Sequence, residues 1–243
     1  MSKARWRALV IIAAVLVGAA AIAFAVGDRS ARPMPERLVA GRPTLLLLTS
    51  LPLMFGEQFS FEGGGSPALK ALEARYRVVP ISVTDEKDLA KGRLLLMAHP
   101  LAQPAENLVA LDGWVRSGGR VLLLADPMLE WHSERPLGDP LRPPPMFADT
   151  GLLAHWGLRL DTPDERGPAA RKLGNYEIAT VSPGLLYGNC AISPDRLLAY
   201  CRVGKGRATI IADADLLNVE QLDGPTRHNL DALLAALAKL ERS

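Results

Sequence analysis

The chain has 243 residues, of which 49% are apolar and 22% charged, with a formal net charge of +2. This composition belongs to a globular chain with room for one sizeable domain of about 200 residues, and it excludes a disordered one. Aromatic residues make up only 5% and no run of basic residues accompanies them, so nucleic acid is not an expected partner.

Ala8 to Val26 is an unbroken apolar run of 19 residues, about 28 Å long as a helix and enough to cross a bilayer core. Lys3, Arg5 and Arg7 precede it, so the positive-inside rule puts residues 1–7 in the cytoplasm and the chain after Gly27 outside, in the periplasm. The expected organisation is a cytoplasmic N-terminus at 1–7, a transmembrane signal anchor at 8–26 in the inner membrane, a proline-bearing linker at 27–42 and an exported α/β domain at 43–243. Ala23-Phe24-Ala25 also fits a peptidase site, which makes a cleaved signal peptide the alternative. No cysteine lies near position 25, so a lipoprotein is excluded.

Thr44 to Thr49 reads as a first strand, followed by a loop from Leu51 to Ser66, a short helix from Pro67 to Arg75 and a second strand from Arg77 to Val83. Asp85 to Asp88 reads as a turn. Leu94 to Ala98 is a third strand. The next helix opens at Pro104, carries Leu108, Leu111 and Val115 at spacings of 3 and 4, and stops at Gly118-Gly119. Val121 to Ala125 has no polar alternation, so both its faces must be covered, as in a parallel sheet with helices on either side. This strand is expected at the centre, parallel to Leu94–Ala98. The fold class that follows is α/β, three-layered, with a mostly parallel sheet.

Pro127 to Phe147 is an irregular, proline-rich excursion. Asp149 is expected to cap a helix running to Trp156, with Leu158 to Leu160 as a brief strand and Asp161 to Leu173 as a surface loop. Strands at Tyr176–Val181, Leu197–Val203 and Ala208–Ala212 follow, the last two joined by the turn Gly204-Lys205-Gly206. A final helix begins near Pro225, with Leu230, Leu233, Leu234 and Leu237 as its apolar stripe.

Open α/β sheets hold ligands at the carboxyl ends of their strands, which singles out Thr49, Ser50, His99, Asp126 and Asp213 as ligand-binding candidates. Nucleophilic hydrolysis would need Gly-x-Ser/Cys-x-Gly on a strand-to-helix turn, but the strand ends read His99-Pro100 and Asp126-Pro127, so no catalytic residue is expected. His99, His132, His155 and His228 form no i,i+4 pair and have no cysteine at ligand spacing, so neither a metal nor a cofactor is expected. Asp126, Glu130 and His132 are the set that would converge at the sheet edge if a metal were held. Gly63-Gly64-Gly65-Ser66-Pro67 lacks the lysine of a P-loop and reads as a loop capped by Ser66. Asp213 and Asp215 would face one cleft and suit acid–base work, although helix capping and loop hydrogen bonds explain such aspartates more often. Cys190 and Cys201 are expected to pair in an exported domain, because Pro194-Asp195 folds the chain between them into a hairpin. Trp131, Met146 and Phe147 are the apolar anchors expected at a partner contact.

Four stretches together, LLLMAHP (Leu94–Pro100), LDGWVRSGGRVLLLADP (Leu111–Pro127), LLAHWGL (Leu152–Leu158) and GKGRATIIADADLL (Gly204–Leu217), resemble the gliding-motility-type ABC-transport auxiliary family. The resemblance implies a flavodoxin/amidotransferase-like α/β domain without the catalytic apparatus. It also implies a non-enzymatic, membrane-anchored accessory component of an ABC-type transport system, with the permease/ATPase complex as partner. The alternatives are a small-ligand or carbohydrate-binding domain and a hydrolase working through its aspartates or an unrecognised metal.

Overall fold

The computed structural model describes residues 35–54, 65–224 and 226–242. The expected anchor at 8–26, the first part of the linker and Gly63-Gly64 lie outside the described residues. Among the described residues, no helix is long and apolar enough to cross a membrane.

In chain order the main elements are β1 (Thr44–Thr49), α1 (Pro67–Glu73), β2 (Arg77–Pro80), α2 (Glu86–Leu89), β3 (Leu94–Ala98), α3 (Ala105–Arg116) and β4 (Arg120–Leu124). Then come α4 (Leu152–His155), β5 (Leu158–Asp161), β6 (Pro168–Leu173), β7 (Tyr176–Val181), β8 (Leu185–Gly188), β9 (Ala191–Ile192), β10 (Leu198–Val203), β11 (Gly206–Ile211) and α5 (Asn229–Arg242). Seven strands form one open sheet in the order β2-β1-β3-β4-β11-β10-β9. The first five run parallel, while β10 and β9 are antiparallel to their neighbours.

The central place of β4 follows from its side chains. Successive residues of a strand point to opposite faces, so a strand with a helix layer on each side must be apolar throughout. Leu122 and Leu124 join Leu45, Leu47 and Leu96 in a core closed by α1 and α5. Val121, Leu123 and Ala125 join Leu46, Leu95 and Met97 in a second core closed by α2, α3 and α4. All five residues from Val121 to Ala125 are fully buried, as their composition requires.

The helix ends follow the same local rules. Ser66 Oγ accepts from Leu69 N at 3.1 Å, with Pro67 at the first position of α1. After α3, Gly118 has φ 112. A Cβ on Gly119 would lie 2.3 Å from the Trp114 ring, so the helix–strand junction closes only over a bare backbone.

Several local expectations change. Asp85 to Asp88 is not a turn: Asp85 Oδ1 accepts from Asp88 N at 2.7 Å and starts the one-turn helix α2. Asp161 to Leu173 is not all loop, because Pro168–Leu173 is strand β6, paired antiparallel with β7 in a sheet of its own. β7 therefore lies outside the main sheet, and Asn229 ties it to α5. That buried amide accepts from Ala179 N at 3.0 Å and donates to Ala179 O at 2.7 Å and to Leu216 O at 2.9 Å. The N-cap of α4 is Gly151, at φ 100; Asp149 instead accepts from Gly151 N and Leu153 N. The end of the linker is docked onto the domain. Arg37 makes a two-pronged pair with Glu241 at 3.2 and 2.9 Å, and its N–H reaches Ala74 O at 3.1 Å.

Candidate functional site

The chain leaves β1 for its neighbour β2 on one side and returns to β3 on the other. The carboxyl ends of β1 and β3 thus flank the point where strand order reverses, the place where such sheets open a crevice. Here the crevice is closed by the chain itself. Thr49 Oγ1 donates to Ala98 O and accepts from Leu51 N, both at 2.9 Å. Ser50 Oγ donates to His99 O.

His99, directly after β3, is fully buried and holds φ 47, a region that a side-chain-bearing residue rarely adopts. Its Nε2–H donates to Pro144 O at 2.9 Å, and its Nδ1 has no hydrogen-bond partner among the described residues. Burial lowers the pKa of this histidine, against the opposing pull of the Pro144 carbonyl, and keeps the ring neutral.

A buried acidic cluster lies beside it, where β4 and β11 end. Asp126 accepts from Met128 N and Ala214 N, each at 2.8 Å. Asp213 accepts from Leu216 N at 2.8 Å and from the Thr180 hydroxyl. Asp215 accepts from Glu130 N at 2.9 Å, and Glu130 in turn accepts from the Ser182 hydroxyl. Burial, more than any neighbouring charge, raises the pKa of all three aspartates, and the backbone N–H donors oppose it. Asp126 is pushed up to about 6 and Asp215 to about 7, while Asp213 is raised well above the carboxylate range, with the charges of Asp126 and Asp215 adding to burial. Among the described residues, no three His, Cys, Asp or Glu side chains are placed to hold a metal ion.

The loop from Pro127 to Phe147 is the cover. Phe147 N donates to Asp126 O at 2.6 Å, Leu129 N to Pro145 O at 2.9 Å, and Pro144 O accepts the hydrogen bond from His99 Nε2–H. Gly184 lets the loop's start lie close, since a Cβ there would meet Pro127 Cγ at 2.5 Å. A cavity of about 280 Å³ remains within the loop, walled by Leu129, Trp131, Leu137 and Pro143–Pro145.

All five ligand candidates therefore gather at one sheet edge, but Asp126, Asp213 and His99 are buried there and engaged by backbone. Of the three partner anchors, Trp131 packs on the α5-side core and Phe147 on the α3-side core, while Met146 is 58% exposed. The exposed apolar side chains of this loop are Leu137, Leu141 and Met146. Sequence reasoning missed Thr180 and Ser182, which β7 and its following turn carry into the acidic cluster. Nothing local to their own segment signals that role. Cys190 and Cys201 are bonded, with Cα atoms 4.9 Å apart, across the hairpin in which Ala191 faces Tyr200.

No protein-family model matches the chain, and no curated protein does. Among solved structures it is similar to an exo-β-1,4-mannosidase from Opitutaceae bacterium strain TAV5, at 15% identity and TM-score 0.46, over 82% of this chain and 36% of that one. A β-galactosidase from Bacillus circulans sp. alkalophilus gives 11% identity and TM-score 0.47, over 83% of this chain and 31% of that one. A cytoplasmic protein from Salmonella typhimurium gives 9% identity and TM-score 0.50, over 82% of this chain and 98% of its own. The chain spans about a third of the glycosidases it matches. At these identities the likeness concerns the fold alone: a mixed α/β domain on a mostly parallel sheet.

Proposed function

We propose that this chain is a non-enzymatic, membrane-anchored accessory domain that works by contact, as an auxiliary of an ABC-type transport system, with its fold of the flavodoxin/amidotransferase-like kind. One observation carries the non-enzymatic part. The strained position after β3, where a nucleophile-elbow fold would present serine or cysteine, holds a neutral, buried His99 plugged by Pro144. Catalysis needs an activated nucleophile or a base held against its substrate, and the carboxylates beside His99 are spent on backbone N–H groups. The anchor and the transport role rest on the apolar run at 8–26 and on the family resemblance.

The contact surface assigned by this reading is the outer side of the 127–147 loop, with Leu137, Leu141 and Met146 rather than Trp131 and Phe147. The test is cross-linking in membranes followed by purification of the full-length chain. A permease or ATPase among the captured proteins supports the reading. Turnover of an ester, amide or glycoside by the purified protein, lost in a point variant of His99 or Asp213, overturns it. A second reading, small-ligand binding, is favoured by the cavity beside Trp131. It predicts a thermal shift of the full-length protein with one member of a sugar panel, lost in Trp131→Ala.

A further inference from the structure

The opposite edge of the sheet, at the amino ends of its parallel strands, is basic. Arg77 and Arg120 are the first residues of β2 and β4, and Arg42 and Arg93 stand one or two residues before β1 and β3. Arg207 is second in β11, and Arg202, near the end of the antiparallel β10, faces it directly. Arg207 also pairs in register with Arg120. Six adjacent strands thus each bring one arginine to a single edge.

Like charges directly opposed on neighbouring strands destabilise a sheet, so an anion bound between Arg202 and Arg207 would relieve their repulsion. Among the described residues, no carboxylate pairs with either. Complementing the negative helix ends would explain basic residues in the last turns of α3 and α5, but not a row borne by the strands. A cavity of about 390 Å³ opens beneath this pair. Its lining includes Arg202, Arg207 and Lys239, with Lys239 Nζ 3.9 Å from the centre of the Tyr200 ring, and the apolar Ala191, Ala208 and Leu240. Cations beside apolar side chains suit an amphiphilic anion better than a free inorganic one.

One further fact bears on the occupant. Arg37, which follows the expected anchor closely in sequence, is clamped at this end of the domain to Glu241 in the last turn of α5. We propose that the arginine edge and the cavity under Lys239 are a docking surface for the headgroups of anionic phospholipids. This deepens the membrane-anchored reading and rests on it. Anionic headgroups attract basic segments next to a membrane anchor, and the attraction fades within a Debye length. Docked this way, the sheet's carboxyl edge and the 127–147 loop face away from the bilayer.

The test places the full-length chain in lipid nanodiscs of phosphatidylcholine, with and without phosphatidylglycerol, and follows acylation of Lys239, with Lys87 on α2 as the control. The surface predicts that phosphatidylglycerol slows labelling of Lys239 several-fold at low salt and leaves Lys87 unchanged. It also predicts that high salt, or Arg202→Ser with Arg207→Ser, removes the protection. An unchanged thermal midpoint of the double variant shows that it is folded. Equal labelling in both discs overturns the surface. Equal protection of Lys239 by inorganic phosphate in phosphatidylcholine discs also overturns it, in favour of a soluble anion. Retention of the chain in the discs reports separately on the anchor. A chain that is not retained is floated with vesicles of the same two compositions, where flotation only with phosphatidylglycerol supports the surface and no flotation overturns it.

Discussion

The two edges of the main sheet are built from the same strands and treat charge in opposite ways. At the carboxyl edge the chain gathers Asp126, Asp213 and Asp215, buries them, and satisfies them with backbone N–H groups under a loop of its own. At the amino edge it gathers arginines, leaves Arg77, Arg93 and Arg202 exposed, and pairs Arg202 with no described carboxylate. A buried charge must find its partners inside the fold, whereas an exposed one is free to find them in another molecule. The carboxylates at the carboxyl edge thus meet backbone N–H groups of the fold, whereas at the amino edge Arg77, Arg93 and Arg202 reach solvent.

Both edges hang on β4, so the largest expected effect comes from its middle. Leu123→Asp places a charge at a fully buried position among apolar side chains, at a cost of several kcal/mol or more. The expected outcome is no folded protein by circular dichroism. A folded Leu123→Asp domain would break the account of both edges at once.

Between pH 5 and pH 8, the raised carboxyls of the carboxyl edge should dominate the pH dependence of stability. A carboxyl whose pKa is raised by folding binds its proton more tightly in the native state than in the unfolded chain. Its contribution to stability is therefore complete below the unfolded value of 3.8 and is lost as pH rises through the folded value. With Asp126 near 6 and Asp215 near 7, their contribution should fall between pH 5 and pH 8, by on the order of 2–4 kcal/mol, against His99, whose pKa is lowered by burial and whose contribution grows as pH rises toward its unfolded value. Asp112 is shifted the other way, held low by Arg116, Trp156 and His155 against its own burial, so its contribution is lost only in more acidic solution. Urea midpoints at pH 5, 6, 7 and 8 are the measurement. Asp215→Asn should flatten the upper part of that slope, and a midpoint that rises toward pH 8 would show that the cluster stays charged.

The amino edge is sharpened by reduction. Cys201 immediately precedes Arg202, and its bond to Cys190 closes a loop with a sequence separation of 11. In the chain-entropy model, breaking it costs about 3 kcal/mol. Reduced protein should unfold at correspondingly lower urea. It should also label faster at Lys239, which leans on Tyr200 in the same strand. An unchanged midpoint after reduction would mean that the β9–β10 hairpin holds this edge unaided.

How far the sequence reveals each edge depends on where the partners lie. β1, β3 and β4 are legible because a strand covered on both faces cannot hide a polar residue, and Gly118-Gly119 marks the junction between α3 and β4. The cysteine pair is legible because the hairpin that joins it is local. β6 is not, since Pro168–Leu173 carries Arg171 and Lys172 and buries only Leu173, which reads as a solvated loop. Asp126 and Asp213 are visible as strand-end aspartates, but Thr180 and Ser182 become their neighbours only through the long return of the chain from β5 to β7. The arginine edge is the extreme case. Arg42, Arg77, Arg93, Arg120, Arg202 and Arg207 are scattered along the chain, and a net charge of +2 conceals them. Only the order β2-β1-β3-β4-β11-β10 makes them a row.

The smallest effect on stability, and the most direct probe of contact at the far side of the molecule, comes from the outside of the 127–147 loop. Deleting Trp131 to Phe147 is expected to unfold the domain, because Trp131 and Phe147 pack against the two cores and Pro144 O holds His99. Leu137 and Leu141 are 87% and 64% exposed and belong to neither core. Leu137→Glu with Leu141→Glu should therefore change stability by no more than about 0.5 kcal/mol, read as an unmoved urea midpoint. Two charges on an apolar contact must be desolvated when a partner covers them, and that cost falls on binding alone. Capture of the membrane partner by the full-length chain should thus be lost while the fold and the phosphatidylglycerol-dependent protection of Lys239 persist. Undiminished capture by the double variant would move the partner off this loop. Loss of capture together with loss of Lys239 protection would mean that the two edges do not act independently.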